Sequence, residues 1–155
     1  MKTFAFTVVA WCALIFPAFS QGNDCNTLES CQTATKANRR NSLLHYRMGE
    51  IFFQMANASD CKIERNVLGA SRIISGCENY LSATNEFRAV FIGDLQPSWI
   101  VVWAHIYLGK IFDAMNNRDR ALNEYRLARR TKDNTMGAQE EAAKYTESPF
   151  KRPSN

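Results

Sequence analysis

The chain has 155 residues, 46% hydrophobic, 12% aromatic and 22% charged, with 19 Lys and Arg against 15 Asp and Glu for a formal net charge of +4. That apolar content excludes a disordered chain, and 7 Gly and 4 Pro are too few for a collagen-like or low-complexity one. One ordinary soluble domain remains, too mildly basic for its charge alone to argue for nucleic acid.

Lys2 gives a positive start, Phe4 to Phe16 is apolar and uncharged, and Pro17 precedes the small-x-small triplet Ala18-Phe19-Ser20. This order predicts a signal peptide over 1–20, cleaved after Ser20, and hence a secreted or periplasmic chain with no stable membrane span. The apolar run falls short of the ~20 residues that a spanning helix needs. Cleavage removes Cys12 and leaves Cys25, Cys31, Cys61 and Cys77, an even number that favours two disulfides in an oxidising compartment. Asn26 with Glu29 reads as a capping box, which would put Cys25 and Cys31 in one helix, ~9 Å apart at 1.5 Å per residue. A bridge needs Cα atoms within ~7 Å, so each is expected to pair with Cys61 or Cys77 and tie segment 21–42 to the middle of the chain. The C-x2-C spacing of a four-cysteine zinc site is absent, and neither a metal nor a cofactor is expected.

Apolar residues at Leu43, Leu44, Met48, Ile51, Phe52 and Met55 predict an amphipathic helix, ended by a loop over 57–60. A second helical stretch carries Val67, Ile74, Cys77, Leu81, Thr84, Phe87 and Val90, although Gly69 and Gly76 weaken its continuity. Gly93 to Ser98 is a break, with Ser98 as N-cap of a third helix that is apolar almost all round from Trp99 to Met115. Ala121, Leu122, Tyr125 and Ala128 define a fourth helix, and Ala138, Ala142, Ala143 and Tyr145 a fifth. Residues 149–155 read as a polar tail beyond the fold, and no segment alternates long enough to predict a strand.

Two of these helices carry a recurring pattern. In Leu108-Gly109-x-x-Phe112 followed by Ala121-x-x-x-Tyr125-x-x-Ala128, small and large residues fall at the offsets of the tetratricopeptide repeat, and the chain resembles that family here. The pattern keeps Gly109 and Ala121 small where two antiparallel helices cross, with Leu108, Phe112 and Tyr125 filling around them. An earlier copy is split: Met48-Gly49-x-x-Phe52 matches the first half and Ala83-x-x-x-Phe87-x-x-Val90 the second. Gly49 to Ala83 spans 34 residues where Gly109 to Ala121 spans 12, so this copy carries 22 additional residues, placed near 58–79. The expected fold is all-α: about two antiparallel helix pairs over 43–148 with a C-terminal capping helix.

His45 and His105 each stand three residues before the Met-Gly or Leu-Gly pair, so equivalent packing slots explain both without metal or acid-base chemistry. No nucleophile with a base and an orienting acid is apparent, which argues against an enzyme. Asn57-Ala58-Ser59 matches a glycosylation acceptor, and Lys36, Arg39 and Arg40 form a small basic cluster; both are patterns common on ordinary surfaces. The resemblance implies a groove lined by the first helices of successive repeats. Its positions map to Leu43, Tyr46, Glu50 and Phe53, then to Trp103, Ile106, Lys110 and Asp113. Exposed together these residues would make an apolar contact patch for a protein or peptide partner. Alternatively segment 21–42, or a second copy of the chain, covers it. A reading from another class is a disulfide-stapled helical protein that binds an apolar ligand.

Overall fold

The computed structural model describes residues 25–59, 61–65 and 71–153, so the predicted signal peptide lies outside the described residues. In chain order the elements are α1 (Leu28–Ala37), α2 (Ser42–Ala58), β1 (Lys62–Arg65), β2 (Ser71–Ser75), α3 (Glu78–Val90), α4 (Trp99–Ala114), α5 (Arg118–Arg130) and α6 (Ala138–Glu147). Among these helices none is long and apolar enough to cross a membrane. The architecture is all-α: α2 packs on α3, α4 on α5, and α6 closes against α4 and α5.

The helix starts follow from side-chain caps that satisfy otherwise orphaned N–H groups. Asn41 accepts from the Leu44 N–H at 3.1 Å, and Asn117 starts α5 by accepting from Arg120. Ser98 stands before α4 as anticipated but makes no side-chain cap. At α1 the cap is Thr27, one residue later than expected, in a reciprocal box with Ser30 rather than with Glu29. This shift corrects the disulfide expectation. Cys25 precedes the helix instead of belonging to it, so the chain folds back onto the first turn and Cys25 pairs with Cys31 at a Cα separation of 4.5 Å.

The second disulfide joins Cys61 to Cys77 and brackets the insertion. Within that bracket β1 and β2 pair antiparallel, Ile63 opposite Ile73 and Arg65 opposite Ser71. The helical stretch expected from Val67 onward therefore begins only at Glu78; Ser71–Ser75 is a strand, and Val67 lies outside the described residues. Three or four pairings are too few for period-two patterning to outweigh a helical spacing seen in the same residues. The buried stripe of α3 is Tyr80, Ala83, Thr84, Phe87 and Val90, while Leu81 stands 45% exposed.

Both helix pairs are built on one contact. A Cβ placed on Gly49 would lie 2.7 Å from the Phe87 ring, and one on Gly109 would run into the Tyr125 ring, so the helices cross where only glycine fits. Ala83, Phe87, Leu108, Ala121, Tyr125 and Ala128 are at or near zero exposure, and Phe112 is buried; Phe52 is partly buried against the same core. A second contact repeats in parallel. His45 Nδ1 meets Glu86 Oε2 at 2.7 Å and His105 Nδ1 meets Glu124 Oε2 at 2.7 Å. Their sequence separations, 41 and 19, differ by the same 22 residues as the two copies of the pattern. Each pair then hands a ring to the next: Phe87 stacks on Tyr107 with centroids 4.9 Å apart, and Tyr125 on Tyr145 at 5.7 Å.

Candidate functional site

The eight residues mapped to a groove do not form an open apolar patch. Tyr46, Phe53, Ile106 and Asp113 are buried, whereas Leu43, Glu50, Trp103 and Lys110 are only partly covered. The chain itself supplies the cover. Tyr46 lies edge-on to Phe87, Trp99 and Tyr107, wedged between α2, α3 and α4, and Leu43 packs against the same cluster. Ile106 turns the other way, into a small cluster with Val102, Ala128, Ala138 and Ala142 between α4, α5 and α6. A helix that is apolar all round has no single groove side, which is why position in the repeat misplaced it.

Residues 21–24 lie outside the described residues, and residues 25–41 do not cover this face. Cys25, with Cys31 and Ala34 of α1, packs on Leu44, Met48 and Ile51, a different side of α2 from the one that carries Tyr46 and Phe53.

The remaining face runs from α2 over α4 to α6 and mixes charge with rings. Tyr107 donates its hydroxyl to Glu50 at 3.2 Å, and Arg47 pairs with the same carboxylate. Lys110 donates to Glu141 at 2.7 Å, and its ammonium lies 5.4 Å from the Tyr107 ring centre and 5.0 Å from that of Tyr145. Trp103 is held at the edge by its indole N–H, which donates to the Thr135 carbonyl at 3.0 Å. Burial pushes the Tyr46 and Tyr107 hydroxyls far above the ordinary tyrosine range, and the nearby Glu50 charge adds to it. Both rings therefore stay neutral donors over the whole physiological range.

Asp113 anchors one end of this face. Its side chain is 1% exposed, a burial that a carboxylate tolerates only when fully partnered. Arg118 donates to both of its oxygens at 3.1 and 3.0 Å, the Tyr125 hydroxyl donates at 2.9 Å and the Phe150 N–H at 2.8 Å. Burial, with the Asp113 charge beside it, holds the Tyr125 hydroxyl far above its usual range. Arg118 also donates to the Tyr145 and Thr146 carbonyls, which closes the end of α6.

The polar-tail reading of 149–155 is overturned at two residues. Phe150 enters the ring cluster of Phe53 and Tyr145, and Arg152 donates to the Ser59 and Cys61 carbonyls at the end of α2. Phe150 lies in a run otherwise polar or proline, and one ring among such neighbours gives no periodic signal. Tyr107, Arg118, Glu141, Tyr145, Phe150 and Arg152 all belong to the face without having been singled out for it. The signal available for Tyr107 was its place on an all-apolar helix, which does not distinguish core from face.

The other motifs are accounted for locally. Asn57 spends its amide oxygen on the Tyr80 hydroxyl at 2.7 Å; burial pushes the Tyr80 hydroxyl up to about 12. Lys36 and Arg39 join Gln32, Thr35, His45 and Met48 around a cavity of about 540 Å³ between α1 and α2. Among the described residues, no three His, Cys, Asp or Glu side chains are grouped to hold a metal ion. No protein-family model matches the chain, nor does any curated protein or solved structure.

Proposed function

We propose that the chain is a secreted or periplasmic, non-catalytic protein-interaction module, built on two tetratricopeptide-type repeats and a capping helix. The recurrence of the glycine-ring and histidine-glutamate contacts at matching offsets supports the repeat assignment. The two disulfides, together with the predicted leader, support export. The observation that carries the function is the α2/α4/α6 face, where partly exposed Glu50, Trp103, Lys110 and Glu141 stand among tyrosine rings. Aromatic anchors beside a few fixed charges are the composition of a partner site rather than of an ordinary surface.

A photo-crosslinking amino acid in place of Trp103 tests this reading against one in place of exposed Arg126 on α5. In the native compartment position 103 should yield protein adducts that position 126 does not. Equal labelling from both positions, or adducts of lipid or small molecules alone, would count against it.

A further inference from the structure

We propose that residues 149–153 occupy the α2/α4/α6 face as a tethered stand-in for its partner, and that the partner presents an extended segment with an aromatic residue followed two positions on by arginine. This rests on the interaction reading above and names the chemistry it takes. The segment has no helical or strand hydrogen bonding, and its exposure alternates: Phe150 and Arg152 are turned in, while Pro149, Lys151 and Pro153 are exposed. Period-two alternation is how an extended peptide presents itself to a surface.

Three fixtures hold it, each suited to any chain of that pattern. The Asp113 carboxylate takes the backbone N–H of Phe150 at 2.8 Å, a contact that reads no side chain. The Phe150 ring then sits 5.8 Å from Phe53 and 5.7 Å from Tyr145, with the Lys110 ammonium 5.9 Å from its centre. Finally the Arg152 guanidinium donates to the Cys61 carbonyl at 3.1 Å and to that of Ser59 at 3.4 Å. Ser59 is the C-cap of α2, so its carbonyl lies at the negative end of a helix dipole and favours a cation. Acceptors at both ends and rings between them define a donor-aromatic-cation ligand. A tether of a few residues gives the chain's own copy an effective concentration in the millimolar range, enough to mask the face from a weaker partner.

The probe is a fluorescent peptide of residues 147–153, titrated by anisotropy into the full chain and into the Phe150→Ala/Arg152→Ala variant. With the ring and the guanidinium of its own tail removed, the variant should bind the peptide at least tenfold more tightly than the parent chain. Replacing the phenylalanine of the peptide by alanine should abolish that binding. If circular dichroism shows the double variant unfolded, Arg152→Ala alone should still bind more tightly than the parent chain. Equal affinity for opened and parent chains, or no binding to a folded opened chain, overturns the proposal. So does a concentration-dependent dimer that the double variant loses, which would assign the face to a second copy. If the peptide fails while position 103 still crosslinks protein, the interaction reading survives this one; if both fail, neither stands.

Discussion

The two helix pairs share a skeleton and, the insertion between α2 and α3 aside, differ at two coupled positions of the crossing. In α2/α3, the position four residues after the crossing glycine is Phe53 and the crossing ring is Phe87; in α4/α5 they are Asp113 and Tyr125. The first pair is dry there, with Phe53 set against the rings of Tyr80, Tyr107 and Phe150. The second buries a carboxylate, with the Tyr125 hydroxyl, Arg118 and the Phe150 N–H all directed at it. The helix crossing therefore depends on glycine against a ring, while the chemistry beside it is free to change if donor and acceptor change together. A buried hydroxyl without an acceptor, or a carboxylate without donors, would cost more than either pair gains from the contact.

The sharpest way to break the difference is to make the second pair apolar without removing its donors. Asp113→Leu leaves the Tyr125 hydroxyl and the Phe150 N–H without their acceptor and Arg118 with only its two carbonyl partners, and should cost about 2–5 kcal/mol in urea unfolding, the usual consequence of leaving two buried donors unpaired. Adding Tyr125→Phe should return about 1 kcal/mol of that loss, because the hydroxyl no longer lacks an acceptor. Strict additivity of the two substitutions would show that they do not act as a unit. Smaller effects follow from the shared skeleton. Gly49→Ala and Gly109→Ala each drive a methyl group into a ring, at a cost of about 1–3 kcal/mol from overpacking, partly offset by the better helix propensity of alanine. Gly109→Ala should be the worse of the two in thermal melts, since the Tyr125 ring is pinned through its hydroxyl to Asp113 and Phe87 has no such bond.

What the sequence disclosed and what it concealed divide along the same line. The crossing residues were legible because sterics demand small against large at fixed offsets, and offsets are what a sequence displays. Gly109, Ala121 and Tyr125 thus read as parts of one crossing, and Gly49, Ala83 and Phe87 as parts of another split by a 22-residue insertion; that each glycine meets the ring itself is what the structure adds. The site was less legible. Lys110 and Glu50 stand on one face, but their partners Glu141 and Tyr107 depend on how α6 and α4 dock, which no local pattern encodes. Phe150 and Arg152 were hidden for a different reason: an extended strap carries no helical period, and its partners sit far back in the chain. The disulfide pairing turned on a single residue of helix boundary, Thr27 against Asn26, and boundaries are set by caps that several neighbouring residues could supply.

The smallest effect concerns the second repeated contact, and pH rather than packing reads it. The hydrogen bond to Glu86 raises the His45 pKa above its ordinary 6.5, outweighing burial, which acts to lower it, and the Arg39 carbonyl adds to the rise. The folded chain thus holds the His45 proton more tightly than the unfolded one does. This contribution to stability is fully present below about pH 6.5 and fades as the pH climbs through the higher folded value. Glu86→Gln removes the charge and leaves the burial, so the His45 ring should titrate at a lower pH in NMR spectra of the variant. Thermal melts above pH 6.5 should correspondingly lose less stability per pH unit than those of the parent chain. An unchanged His45 midpoint would mean that the glutamate orients the ring without stabilising its charge, and the contact would then be repeated in the two pairs for its geometry alone.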